Sequence, residues 1–229
     1  MNKNGKLFVI ESGSDGSGKA TQSQLLYEYL NNKGYKVIKV EFPNYKSEAS
    51  SVVKMYLRGD FGKRADDVDP YIASTFYALD RYASYKIEWE DFYRSGGIVI
   101  ADRYTTSNMV HQASKMNDNE EKDKFLNWLY DFEFGIYKLP TPDEIFFLDV
   151  PVDITEKLIE TRKNKFTNKS EKDIHERDKG YLERTYINSK YVAEKYLWNI
   201  VDCVDELGEM KSVDEIHRSI IEKISNHLK

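Results

Sequence analysis

An α/β fold, with five parallel strands in one sheet covered by helices on both faces, is predicted by three features of the chain. Short apolar, β-branched runs recur at residues 7–12, 36–40, 98–101, 145–150 and 200–204. Longer segments with helical spacing of apolar residues separate them, among them 70–94 and 189–197, and strands alternating with helices imply a parallel sheet. A glycine-rich turn follows the first run directly, at Gly13, Gly16 and Gly18.

The first unit reads as strand, tight loop, helix. LFVIES at 7–12 leads into the glycines, and from Thr21 apolar residues return at Leu25, Leu26, Tyr29 and Leu30. The helix is expected to stop near Gly34, a residue at ease in the left-handed conformation of a helix end, before 36–40 resumes as a strand. Residues 213–228 read as an amphipathic closing helix. Residues 162–184 carry many charges and no clean period, which suits either a mobile lid or a solvated surface hairpin. No repeat or Pro-rich linker interrupts the chain, so residues 1–229 read as a single domain with a lid insert at 162–184.

The bulk composition narrows the function classes. Hydrophobic residues at 40% and charges of both signs at 32% describe a soluble globular protein rather than a disordered one. A net charge of −5 argues against duplex nucleic acid, which needs a concentrated basic face. No apolar run approaches the roughly 20 residues of a membrane span. The polar start MNKNGK has no signal-peptide pattern, so the expected place is the cytoplasm. Cys203, the single cysteine, excludes an intramolecular disulfide and reads as a buried thiol in NIVDCV.

The glycine-rich turn carries chemistry. Gly13, Ser14, Asp15, Gly16, Ser17, Gly18, Lys19, Ala20 and Thr21 fit G-x-x-x-x-G-K between a strand and a helix. Such a loop points backbone N–H groups and a helix N-terminus at phosphate oxygens, and its lysine neutralises the β and γ phosphates of a nucleoside triphosphate. Ala20 stands where a serine or threonine commonly offers a hydroxyl to Mg²⁺, and Asp15 is the nearest substitute. Phe42-Pro43, the stretch Phe76 to Arg81 and the stretch Asp102 to Asn108 adjoin core elements and mix aromatic, arginine and small polar residues. Ligands of open parallel sheets sit beyond the carboxyl ends of strands, so these segments look like a base-and-phosphate pocket.

With these motifs in order, the chain resembles the thymidylate kinases, P-loop nucleoside monophosphate kinases. The quoted matches are Asp-Gly-x-Gly-Lys-x-Thr-Gln, Phe-Pro, Ala-Leu-Asp-Arg, Asp-Arg-Tyr-x-x-Ser-Asn and the Leu-Asp-Val-Pro of 148–151. The resemblance implies the P-loop NTPase type of α/β fold and conversion of dTMP and ATP, with Mg²⁺, to dTDP and ADP. It implies that Tyr77 stacks on thymine, Arg81 faces a base carbonyl, Asn108 reads the pyrimidine edge and Phe42 lines the pocket. Arg103 would bind the acceptor phosphate, Ser107 would join the dTMP site and His111 would lie at the deoxyribose side. Lys19, Arg103, Asp15 and Arg177 would be catalytic, Arg162 would lie near adenine, and Asp15, Asp102 and Glu176 are candidate metal ligands. A homodimer built from flanking helices is also implied.

Departures from the family pattern are Ser12 between Glu11 and Gly13, Tyr77 where phenylalanine is common, and His111 where tyrosine is common. They keep open a kinase of another nucleotide or a nucleoside, and Ala20 keeps open a nucleotide-binding homologue impaired in catalysis. His175, His217 and His227 show no metal-ligand spacing.

Overall fold

The computed structural model describes residues 5–159, 174–175, 178–225 and 228. Strands β1 (Lys6–Ser12), β2 (Val37–Glu41), β3 (Ile98–Asp102), β4 (Glu144–Asp149) and β5 (Asn199–Asp202) form one sheet in the order β2-β3-β1-β4-β5. Every neighbouring pair is parallel. The helices are α1 (Lys19–Asn32), α2 (Ser51–Arg58), α3 (Pro70–Ser84), α4 (Glu90–Arg94), α5 (Thr105–His111), α6 (Asn119–Tyr130), α7 (Val152–Ile159), α8 (Lys179–Lys195) and α9 (Val213–Ile224).

The expected strands are all present, displaced by a residue or two. Val150 and Cys203 belong to the expected apolar runs and are 2% and 0% exposed, yet both lie past the strand ends. An apolar run reports burial, and burial continues into the loops that leave a covered sheet.

Alternation along each strand divides the core between two faces. Phe8 and Ile10 of β1, Ile98 and Ile100 of β3 and Phe146 and Leu148 of β4 pack with Leu26 and Leu30 of α1 and Ile216, Ile220 and Ile224 of α9. Leu7, Val9, Val99 and Ala101 face the other way, toward Tyr85, Trp89 and Tyr93. These three aromatics hang from one continuous helical stretch. A π-turn at Tyr85–Trp89 joins α3 to α4, and its wider turn keeps residues four apart on the sheet side.

Residues 179–184, expected within a lid or hairpin, are instead the first turns of α8. Asp178 caps that helix, its carboxylate accepting the Tyr181 N–H at 2.9 Å. The helical period was hidden because the buried face mixes Tyr181, Leu182, Val192 and Ala193 with the polar Thr185, Asn188 and Ser189. Among the described residues no helix is long and apolar enough to cross a membrane. Cys203 is fully buried, and burial pushes its thiol up to about 12. A disulfide reagent at pH 8 is therefore expected to label no thiol in the native protein and one in denaturant; fast native labelling would contradict this packing.

Candidate active site

The order of the sheet places β1 at its centre, with β3 on one side and β4 on the other. The segments leaving the carboxyl ends of β1 and β3 therefore open into one crevice, the switch point of the topology.

From β1 the chain enters the glycine loop. Gly18 holds φ at 90° at the N-cap of α1, a conformation that favours glycine. Gly13 is required by close approach, since a Cβ there would lie 2.5 Å from Ser189 Oγ of α8. Lys19 is folded back into the loop and is 6% exposed. Its ammonium donates to Ser12 Oγ at 2.7 Å, to the Ser14 carbonyl at 2.7 Å and to Ser17 Oγ at 3.3 Å, with Asp15 at 3.8 Å. Ser12, the residue by which the chain departs from the family's loop, thus helps to hold the lysine. Burial first, and Arg103 second, bring Lys19 down to about 7. Anionic phosphate is the partner that would restore its charge.

From β3 the chain delivers Asp102 and Arg103. Arg103 has φ 69°, the left-handed region that costs a side-chain-bearing residue about 1–3 kcal/mol and persists only where the surroundings enforce it. Here they do. The Arg103 N–H donates to the Ile10 carbonyl at 3.1 Å. Nη2 meets Asp15 Oδ1 at 2.5 Å, and Nη1 lies 3.2 Å from His111 Nε2, 3.4 Å from Ser107 Oγ and 3.5 Å from Glu11 Oε1. Burial opposes its charge, but Asp15, Glu11 and Asp102 more than offset that and hold the guanidinium above its usual range.

Glu11 was not singled out from the sequence, yet it ties the two strands together. It is fully buried and accepts from the Ser12 N–H at 2.9 Å, Thr106 Oγ1 at 2.7 Å and Ser107 Oγ at 2.6 Å. Asp102 is 3% exposed, and its Oδ2 has no donor among the described residues.

The acceptor side is organised by a second buried carboxylate, Glu133, also unforeseen. It takes Arg81 in a two-point bond, Nε at 2.7 Å and Nη2 at 2.6 Å, with both residues at most 1% exposed. Glu133 also accepts from Thr105 Oγ1 at 2.8 Å, while Arg81 Nη1 reaches the Tyr104 carbonyl at 3.3 Å. Arg81 is thus placed chiefly by protein partners. Asn108 is buried, its amide nitrogen donating to the Ser74 carbonyl at 3.2 Å. Phe42 is 5% exposed and packs on Tyr104 at 5.9 Å, so it sits within the core. Tyr77 is partly buried, edge-on to Tyr56 at 6.2 Å. One clue to Glu133 existed: a lone acid between Phe132 and Phe134.

The loop residues Gly13 to Thr21, Arg103, Ser107 and His111 thus meet around one crevice. Of the metal candidates, Asp15 is committed to Arg103 and Asp102 keeps an open oxygen. Arg162, Glu176 and Arg177 lie outside the described residues.

The sequence model of the thymidylate kinase family matches residues 10–211. The chain is similar to the thymidylate kinase of Plasmodium falciparum, 25% identical over 97% of this chain and 91% of that protein. It is also similar to that of Mycobacterium tuberculosis, 31% identical over 78% of this chain and 81% of the relative. In three dimensions it matches the thymidylate kinase of Candida albicans with a TM-score of 0.70 at 20% identity, over 98% of this chain and 92% of that one. The loop, the buried Arg103 and a family match that runs from the end of β1 through β5 lead to one conclusion: the chain belongs to the thymidylate kinase family.

Proposed function

We propose that this kinase moves the γ-phosphoryl group of ATP onto dTMP, the loop and Lys19 holding the donor phosphates while Arg103 grips the acceptor phosphate. The observation that carries this reading is the 2.5 Å contact of Arg103 with Asp15, because it sets the acceptor-side guanidinium against the donor-side loop. A phosphate oxygen of dTMP attacks the γ-phosphorus, the bond to the β-bridging oxygen breaks, and ADP leaves as dTDP forms. Such a transfer asks mainly for alignment and charge neutralisation. Lys19 and the N-terminus of α1 meet the donor oxygens. Arg103 turns its planar fork from Asp15 to the acceptor phosphate. Tyr77 offers its ring to thymine, with Asn108 and Arg81 along the polar edge and Ser107 and His111 toward the sugar. Arg162 beside adenine and Arg177 over the transferring group complete the reading.

The relatives compared are thymidylate kinases and lend no support to another acceptor. Coupled ADP release measured across dTMP, dUMP, dCMP, UMP and deoxythymidine is expected to rank dTMP first. A different leading acceptor would reassign the substrate, and ATP binding without turnover would make the chain a binding module.

Mg²⁺ belongs to the same reading, and Asp102 fits it. Its buried Oδ2 has no donor among the described residues, and carboxylate oxygen suits a hard cation. Among the described residues no group of three or more His, Cys, Asp and Glu is arranged to hold a metal. That suits an ion that keeps several waters and shares phosphate oxygens. Asp102, with Glu176, would hold it; when bound it neutralises charge on the β and γ oxygens. Asp102→Asn is expected to raise the Mg²⁺ needed for half-maximal rate roughly ten- to a hundred-fold. An unchanged requirement in initial-rate titrations would remove Asp102 from the metal site.

Ile72 and Leu79 of α3, Ile87 in the π-turn, Tyr130 at the end of α6 and Ile136 at the end of the π-helical segment Asp131–Ile136 that follows it are exposed apolar side chains. They favour pairing with a second copy, which sedimentation equilibrium checks; a monomer at micromolar concentration would contradict it. Action on soluble nucleotides favours the cytoplasm.

A further inference from the structure

We propose that His175 is a positioning residue for the acceptor-phosphate arginine, holding His111 in the orientation in which its Nε2 fixes Arg103. The inference rests on the assignment of Arg103 to the acceptor phosphate.

His175 is anchored by its neighbour. Ile174 is 2% exposed among Val53, Tyr56, Leu57 and Val68, and its N–H donates to the Leu57 carbonyl at 3.3 Å. The His175 ring stacks on His111, with centroids 6.0 Å apart and planes 15° from parallel. Tyr181 of α8 covers both rings, at 4.8 Å from His175 and 6.3 Å from His111, and its hydroxyl donates to the His111 carbonyl at 3.2 Å. His175 Nε2 lies 3.1 Å from Tyr56 Oη, an oxygen that also accepts from Lys115 Nζ at 3.1 Å. Lys115 is held in turn by the Val68 carbonyl at 3.0 Å. A connected series of contacts therefore runs from Lys115 through Tyr56, His175, His111 and Arg103 to Asp15 of the phosphate loop.

The chemistry at the His111 end is directional. A guanidinium only donates, so the His111 nitrogen facing Arg103 must accept, and the neutral ring carries its proton on Nδ1. Burial and Arg103 keep His111 well below its usual range, so its ring stays neutral beside the guanidinium. The His111 contact, at 3.2 Å, is closer to Nη1 than Ser107 at 3.4 Å or Glu11 at 3.5 Å. If the His111 ring turned, Nη1 would lose its nearest acceptor and one arm of the fork its direction. His175 and Tyr181, 4.8 Å apart, stand together on one side of the His111 ring and oppose that turn.

His175 should then affect the phosphate of the acceptor and leave the base alone. The test is to measure the dissociation constants of dTMP and deoxythymidine, whose ratio isolates the phosphate's contribution. His175→Ala is expected to weaken dTMP about ten-fold more than deoxythymidine, a fraction of one charge-assisted contact. His175→Phe, which keeps a ring on His111, is expected to restore the wild-type ratio. Equal weakening of both ligands, or an unchanged ratio in His175→Ala, would overturn the proposal. Should His175→Ala fail to fold, His175→Gln, which keeps a polar group for Tyr56 but no ring, should give the same loss. Arg103→Ala separates the two layers. A ratio that collapses there while His175→Ala leaves it intact sinks only the role of His175, whereas a ratio insensitive to Arg103→Ala removes the phosphate assignment itself.

Discussion

Lys19→Met is expected to lower kcat about a hundred- to a thousand-fold, the typical loss when one preorganised charge or donor at the reacting group is removed. The fold should survive, because the lysine's partners within the loop are hydroxyls and a carbonyl that water can reach once the chain opens locally. The same substitution has a pH signature. Folding lowers the Lys19 ammonium from its usual 10.5 to about 7. Between those values the unfolded chain holds more protons, so the wild type gains stability as pH rises from about 7 toward 10.5, and below 7 it carries the full cost of a buried charge. The melting temperature of Lys19→Met relative to wild type should therefore be highest below pH 7 and fall as pH rises above it. Retained kcat in a folded variant would mean that the loop does not hold the donor phosphates.

Removing Glu133 should produce the largest loss of stability of any single side chain in the site. Glu133→Ala strands the Arg81 guanidinium in a place that is 1% exposed. Breaking a buried pair from one side costs about 3–5 kcal/mol. For a chain of this size that lowers the melting temperature by roughly 6–20 °C. The double change Arg81→Met with Glu133→Leu should recover most of that loss, because an apolar pair replaces the ions without leaving a bare charge. It should still bind dTMP poorly, and that separates the structural role of the pair from its role in the pocket. A melting shift below 2 °C for Glu133→Ala, read by circular dichroism or calorimetry, would mean that water reaches Arg81.

What the sequence disclosed and what it hid follow one physical division. The phosphate loop is local: its glycines, its lysine and its strand and helix lie within consecutive residues, so spacing alone exposes it. Asp102 and Arg103 stand at the end of an apolar run, where sheet topology delivers ligands. Glu133 meets Arg81 from 52 positions away, and no local pattern marks which buried acid answers which buried base. Glu11 was visible only as a residue before the loop, although it joins β1 to Thr106 and Ser107 across the crevice. His175 sits in a stretch whose charges read as a solvated surface, and its stack on His111 depends on how the chain returns over α2. Phe42 was expected to line the pocket, but in the fold it packs against Tyr104.

Phosphorus NMR of ATP and dTMP with Mg²⁺ and catalytic enzyme follows the phosphoryl transfer itself. The dTMP monoester resonance should decline as dTDP resonances grow, in step with ADP and without free phosphate. ATP hydrolysis to inorganic phosphate with dTMP untouched, or no change in either nucleotide, would contradict it.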